Sequence, residues 1–191
     1  MNTKIIVAFV SIFLFSVTTN VVADNGIQYN YAEFRFVADA ELDDVDVDGD
    51  GFAFSGSFRL DELFYLVADY EDIGFDRGVD STVIQLGAGV IAPYEKVDII
   101  GELAIVDADV DGPGGSESDT GFRLTGGVRG YVMPQLEVRG TLNYVDVEDD
   151  DTFVTLAADY FINDSFSVNI AKDLSAELDR LSIGVRYYFG E

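Results

Sequence analysis

The sequence predicts an all-β protein folded as an antiparallel, up-and-down transmembrane β-barrel of ten strands. Three observations predict it. Short runs alternate apolar and polar residues with period two, and no helical stripe competes with them. The connections between runs alternate between short turns and longer acidic stretches. The polar side of the runs carries arginine and almost no lysine. Period-two alternation marks strands with two unlike faces, and short turns at one end against longer connections at the other is the layout of a membrane-spanning barrel.

The runs follow an export signal. Lys4 is a basic start, Ile5 to Phe15 is a short apolar run, and Val21-Val22-Ala23 supplies small residues for cleavage. This is the pattern of a secretory signal peptide over residues 1–23. Its apolar run is shorter than the roughly 20 residues a transmembrane helix needs. Residues 24–191 are then a single barrel domain.

In chain order, run 28–38 sets Tyr31, Glu33 and Arg35 on one face. Run 51–60 has Arg59 on the polar face, with Phe52 and Phe58 near opposite ends of the apolar face. Asp61-Glu62 turns into 63–71, where Tyr65, Asp69 and Glu71 oppose Phe64 and Tyr70. Run 81–91 is uncharged and leads through Pro93–Glu95 into 96–106, whose polar face carries Asp98 and Glu102. In run 120–132, Arg123, Thr125, Arg129 and Tyr131 oppose Phe122, Leu124, Val128 and Val132. Met133-Pro134 leads to 135–146, where Glu137, Arg139, Thr141 and Asn143 oppose Leu136, Val138, Leu142 and Tyr144. Run 152–162 contributes Asp159, and Asn163-Asp164 turns into 165–173. The last run, 179–189, sets Arg180, Ser182, Arg186 and Tyr188 against Leu181, Ile183, Val185, Tyr187 and Phe189. With both termini on the short-turn side the strand number is even. Eight strands are the alternative if two weaker runs, such as 152–162 and 165–173, are not strands. Stretches 39–50, 72–80, 107–119, 147–151 and 174–178 are the connections at the far end, and proline is confined to connections.

All 36 acidic residues follow residue 23, so the exported part carries a net charge of −26, with eight Arg and two Lys against them. Seven arginines lie on polar strand faces with seven acids, which places the excess negative charge in the connections. A surface of this sign repels nucleic acid.

Alternation alone does not say which face points inward, because a soluble barrel has the same dyad. The arginines point to the membrane orientation, since a guanidinium suits enclosed ion pairs better than a lysine does. Apolar-face aromatics gather near strand ends, as in interfacial girdles. Each Arg facing the lipid midplane would cost roughly 2–4 kcal/mol. The expectation is therefore a lumenal charge network of Glu33, Arg35, Arg59, Asp69, Glu71, Asp98, Glu102, Arg123, Arg129, Glu137, Arg139, Asp159, Arg180 and Arg186.

The opening Gly26-Ile27-Gln28-Tyr29-Asn30-Tyr31-Ala32-Glu33 and the closing Gly184-Val185-Arg186-Tyr187-Tyr188-Phe189 resemble the small outer-membrane barrels of the OmpA, OmpX and opacity-protein type. The resemblance covers residues 24–191. It implies a monomer in the bacterial outer membrane, in contact with lipid and lipopolysaccharide and inserted by the barrel-assembly machinery. That machinery reads a terminal aromatic residue, whereas here Gly190 and Glu191 follow Phe189. Members of the group include structural barrels, adhesins and invasins, so the resemblance implies no activity.

Two patterns carry candidate chemistry. Asp44-x-Asp46-x-Asp48-Gly49 recurs as Asp107-x-Asp109-x-Asp111-Gly112, which matches the first half of a calcium loop. Ser55 and Ser118 stand where the bidentate Glu belongs, which argues against an EF-hand. The six carboxylates remain candidate loose ligands for Ca²⁺ or Mg²⁺ in acidic loops, with a solvated acidic surface as the alternative. The lumenal network either braces and fills a narrow barrel or lines a pore. The chain has no His and no Cys, which removes histidine-based and thiol catalysis. We therefore expect no enzyme. The expected role is a structural or surface-interaction barrel, with a passive cation-preferring channel or an adhesin as alternatives.

Overall fold

A computed structural model describes residues 26–42, 47–174 and 178–190, and the signal segment 1–23 lies outside them. Ten strands follow one another: Tyr31–Leu42 (β1), Val47–Arg59 (β2), Phe64–Phe75 (β3), Val79–Tyr94 (β4), Val97–Gly112 (β5), Gly115–Met133 (β6), Leu136–Val147 (β7), Asp149–Asn163 (β8), Phe166–Leu174 (β9) and Leu178–Tyr188 (β10). Each pairs antiparallel with its chain neighbour, and β1 also pairs with β10, closing an up-and-down barrel without helices among the described residues. The closing register sets Tyr31 opposite Tyr188 and Glu33 opposite Arg186. Closure leaves no unpaired strand edge, which a hydrocarbon environment requires.

The faces are inverted relative to a water-soluble barrel. Leu86 and Ile105 are 62% and 66% exposed on the outside, whereas Arg186, Glu137 and Asp159 are each 1% exposed inside. Outward rings meet across strands near both ends. Phe166 lies 5.0 Å from Tyr187 by the turns, and Phe122 and Phe52 lie 6.0 Å from Tyr144 and Tyr70 at the far end.

Most of the far-end connections are strand rather than loop. Pairing of β4 with β5 continues to Asp80–Asp111, of β5 with β6 to Gly112–Gly115, and of β7 with β8 to Val147–Asp149. Strand β6 has 19 residues, about twice the ~9–11 that cross a bilayer, so its surplus stands beyond the apolar band. The sequence over 106–111 keeps period two with Val and Ala opposing Asp, and a ladder in water needs no apolar face to continue. Hydroxyls on β6 support it: Thr120 donates to Asp107 at 2.8 Å and Ser116 to Asp111. The reversal at the tip of β3–β4 uses Arg77 and Gly78 at φ 68° and 75°, so only a tight turn remains there. The excess acid charge in these hairpins therefore rides on strands. Pro93 also lies within a strand, paired with Asp98 near the end of β4, where a missing N–H is tolerated.

Candidate functional site: the charged lumen

The lumen is layered. At the turn end, residues 26–30 leave the ladder and cross the mouth of the barrel. Ile27 and Tyr29 are buried there with Tyr65, Val67, Ile91 and Ile100 of β3, β4 and β5. The Tyr29 hydroxyl donates to Asp98 at 2.9 Å. The guanidinium of Arg129 stacks 4.5 Å from the Tyr29 ring and donates to the Gln28 carbonyl. Arg59 stands at the rim, donating to the carbonyls of Asp61 and Glu62, 5.7 Å from the Tyr29 ring.

The middle layer is a buried ion-pair core. Arg186 on β10 meets Glu33 of β1 at 2.5 Å and Asp159 of β8 at 3.3 Å, and lies 4.2 Å from the Tyr31 ring. Asn169 donates to the same Glu33 oxygen at 2.7 Å. Arg129 holds Glu137 through Nη2 and Nε, at 2.7 and 2.8 Å. Tyr131, Phe161 and Tyr188 close the space beside these pairs, with Phe161 and Tyr188 stacked at 5.1 Å.

Above this core a cavity of about 100 Å³ opens among charged walls. Arg35 reaches Glu33 at 3.0 Å, and Ser55 relays it to Asp69, accepting from Arg35 at 2.9 Å and donating to Asp69 at 2.7 Å. Arg123 approaches Asp69 only to 3.7 Å. Arg180 bridges Asp173 and Glu71. Glu102 accepts from the Tyr65 hydroxyl at 2.7 Å. Arg139 lines the cavity and makes no ion pair among the described residues. Charges withdrawn this far from bulk solvent are stable only when paired or reached by water.

Asp173, Asn169 and Gln85 also belong to this interior, without having been singled out from the sequence, and Asn143 joins them as its strand parity predicts. Their signal was present, since Asn169 and Asp173 share the parity of buried Ser167 on β9. Ile27 and Tyr29 continue the parity of Tyr31, Glu33 and Arg35, but their crossing of the mouth left no trace, because segment 26–30 is not part of the ladder although run 28–38 reads as one strand.

The candidate metal ligands are placed differently. Asp44 and Asp46 lie outside the described residues. Asp48 is exposed on β2, and Asp107, Asp109 and Asp111 lie on the outward face of β5 opposite Thr120, Ser118 and Ser116. An extended strand holds alternate side chains about 7 Å apart, so these carboxylates do not curl around one ion. Among the described residues no group of three or more acids is arranged to hold a metal.

The chain matches no protein-family model and no curated protein. Its fold is similar to that of solved outer-membrane barrels. The translocator domain of the autotransporter NalP from Neisseria meningitidis matches with a TM-score of 0.51 at 12% identity, over 98% of each chain. The Neisserial surface protein A matches with a TM-score of 0.45 at 17% identity, over 84% of this chain and 97% of that one. The KdgM porin matches with a TM-score of 0.45 at 10% identity, over 84% and 99%. At these identities the likeness is one of fold.

Proposed function

We propose that this chain is a structural barrel of the bacterial outer membrane, with a braced, sealed lumen and an acidic surface that holds divalent cations against lipopolysaccharide. The observation that carries the reading is the inversion of its faces, with Arg186, Glu137 and Asp159 shut inside and Leu86 and Ile105 presented outside. Apolar area of that extent on every wall is stable against acyl chains rather than water. The middle layer of ion pairs and stacked rings, together with the buried Ile27 and Tyr29, fills the bore, which favours a brace over a passive channel.

The acidic hairpins support the surface part of the reading. Asp80, Asp107, Asp109, Asp146 and Asp150 continue the outward faces directly beyond the Phe122–Tyr144 ring pair. At that height they face lipid headgroups, whose phosphates repel them unless Ca²⁺ or Mg²⁺ lies between. These ions would be shared between strand carboxylates and lipid phosphates rather than chelated by one loop. Fractionation of cells expressing the chain, combined with heat-modifiable gel migration, tests the reading. The expected result is a folded band in the outer membrane that gives no steady current in a planar bilayer. A monomer soluble without detergent would overturn it.

A further inference from the structure

We infer that residues 26–30 are a detachable plug, and that this barrel conducts small ions when the segment leaves the turn-side mouth. The inference rests on the sealed-barrel reading and names what makes the seal. The segment belongs to no strand, yet Ile27 and Tyr29 are 3% and 2% exposed. It is attached to the far side of the mouth by side chains: Tyr29 to Asp98 of β5, and the Gln28 carbonyl to Arg129 of β6. At its base Asn30 is held by backbone N–H groups of Phe189 and Arg59, which gives the segment a fixed pivot.

The plug also packs under two wall residues of the cavity above it. Val67 and Ile100 line that cavity and at the same time belong to the cluster in which Ile27 and Tyr29 are buried. The other ring cluster, Tyr31, Phe161 and Tyr188, is anchored on β1, β8 and β10. Ile27 and Tyr29 therefore fill the gap between that cluster and the wall of β3, β4 and β5. Withdrawing them joins the charged cavity to the turn-side mouth through a space bordered by Arg129, Asp98 and Glu102. Contacts of this kind suit a reversible closure. A few hydrogen bonds, one stacked ring and one aliphatic side chain hold the segment, and no ladder pairing has to break.

Two variants test this in planar bilayers with potassium chloride: deletion of residues 26–29, and Tyr29→Ala in the full chain. Heat-modifiable migration confirms folding of each. The expected result is a silent wild type, discrete steps from the deletion and shorter openings from Tyr29→Ala. If the deletion does not fold, Tyr29→Ala decides. Silence of every folded variant overturns the plug and leaves the sealed barrel standing. Steady wild-type current of the same size as the deletion's overturns both.

Discussion

Arg186 and Glu33 lie 153 residues apart in the chain and meet at 2.5 Å across the seam between β10 and β1. The pair is enclosed, with both side chains 2–3% exposed, and Asp159 completes it at 3.3 Å. The barrel closes where Arg186, one of its most buried charges, meets Glu33, so closure and charge pairing stabilise each other.

Arg186→Ala should leave Asp159 without an ion pair among the described residues and Glu33 with Arg35 alone, and lower the unfolding free energy by about 3–5 kcal/mol. Urea unfolding of the refolded protein in detergent micelles, followed by the heat-modifiable band, measures it. A loss of about 1 kcal/mol or less, typical of an exposed pair, would contradict the enclosed geometry.

Arg139 should behave differently from Arg186. It is half-buried on the cavity wall without an ion pair among the described residues. Arg139→Leu removes a desolvated cation and strands no carboxylate within bonding distance. The expected effect is a loss clearly smaller than that of Arg186→Ala in the same assay. A loss as large as that of Arg186→Ala would show that Arg139 is paired.

Gly89→Ala probes packing inside the lumen. A Cβ on Gly89 would stand 2.2 Å from the Tyr65 ring, so the ring must leave its place beside Tyr29 and its bond to Glu102. Overpacking of this kind costs about 1–3 kcal/mol. Equilibrium unfolding of the two proteins side by side reads it, and equal midpoints would refute the close approach.

Leu103→Arg tests the outer face. Leu103 is exposed on β5 between Ala88 and Leu124, near mid-height of the apolar band. A guanidinium there should cost about 2–4 kcal/mol in lipid. Folding yield into vesicles should fall accordingly, and an unchanged yield would place this face in water.

The triple change Asp107→Asn, Asp109→Asn and Asp111→Asn tests the cation bridge. Calorimetric titration of Ca²⁺ into barrel embedded in lipopolysaccharide vesicles should release less heat from the variant than from the wild type. Identical heats would remove these strands from cation binding.

Most of the strand plan was legible in the residues. Period two over ten runs, with turns such as Asp61-Glu62 and Asn163-Asp164, gives the strand order and assigns Arg123, Arg129 and Glu137 to one face, because side-chain parity is a local property of extended backbone. Where the strands stop was less legible. Val106, Ala108 and Val110 alternate with Asp107, Asp109 and Asp111 as a strand does, but the acids there read as a loop.

The sequence by itself determined that the arginines share a face with acids and that the far end is acidic. Only the tertiary structure decided that this face is enclosed, that Arg186 takes Glu33 and Asp159 as partners, and that Arg139 has no ion pair among the described residues. It alone carried Ile27 and Tyr29 off the ladder and across the mouth. The physical reason is that inside and outside are not properties of a strand. They exist only once β1 pairs with β10 and the sheet has two sides of different solvent, and which charges then meet across the bore depends on register and curvature rather than on spacing along the chain.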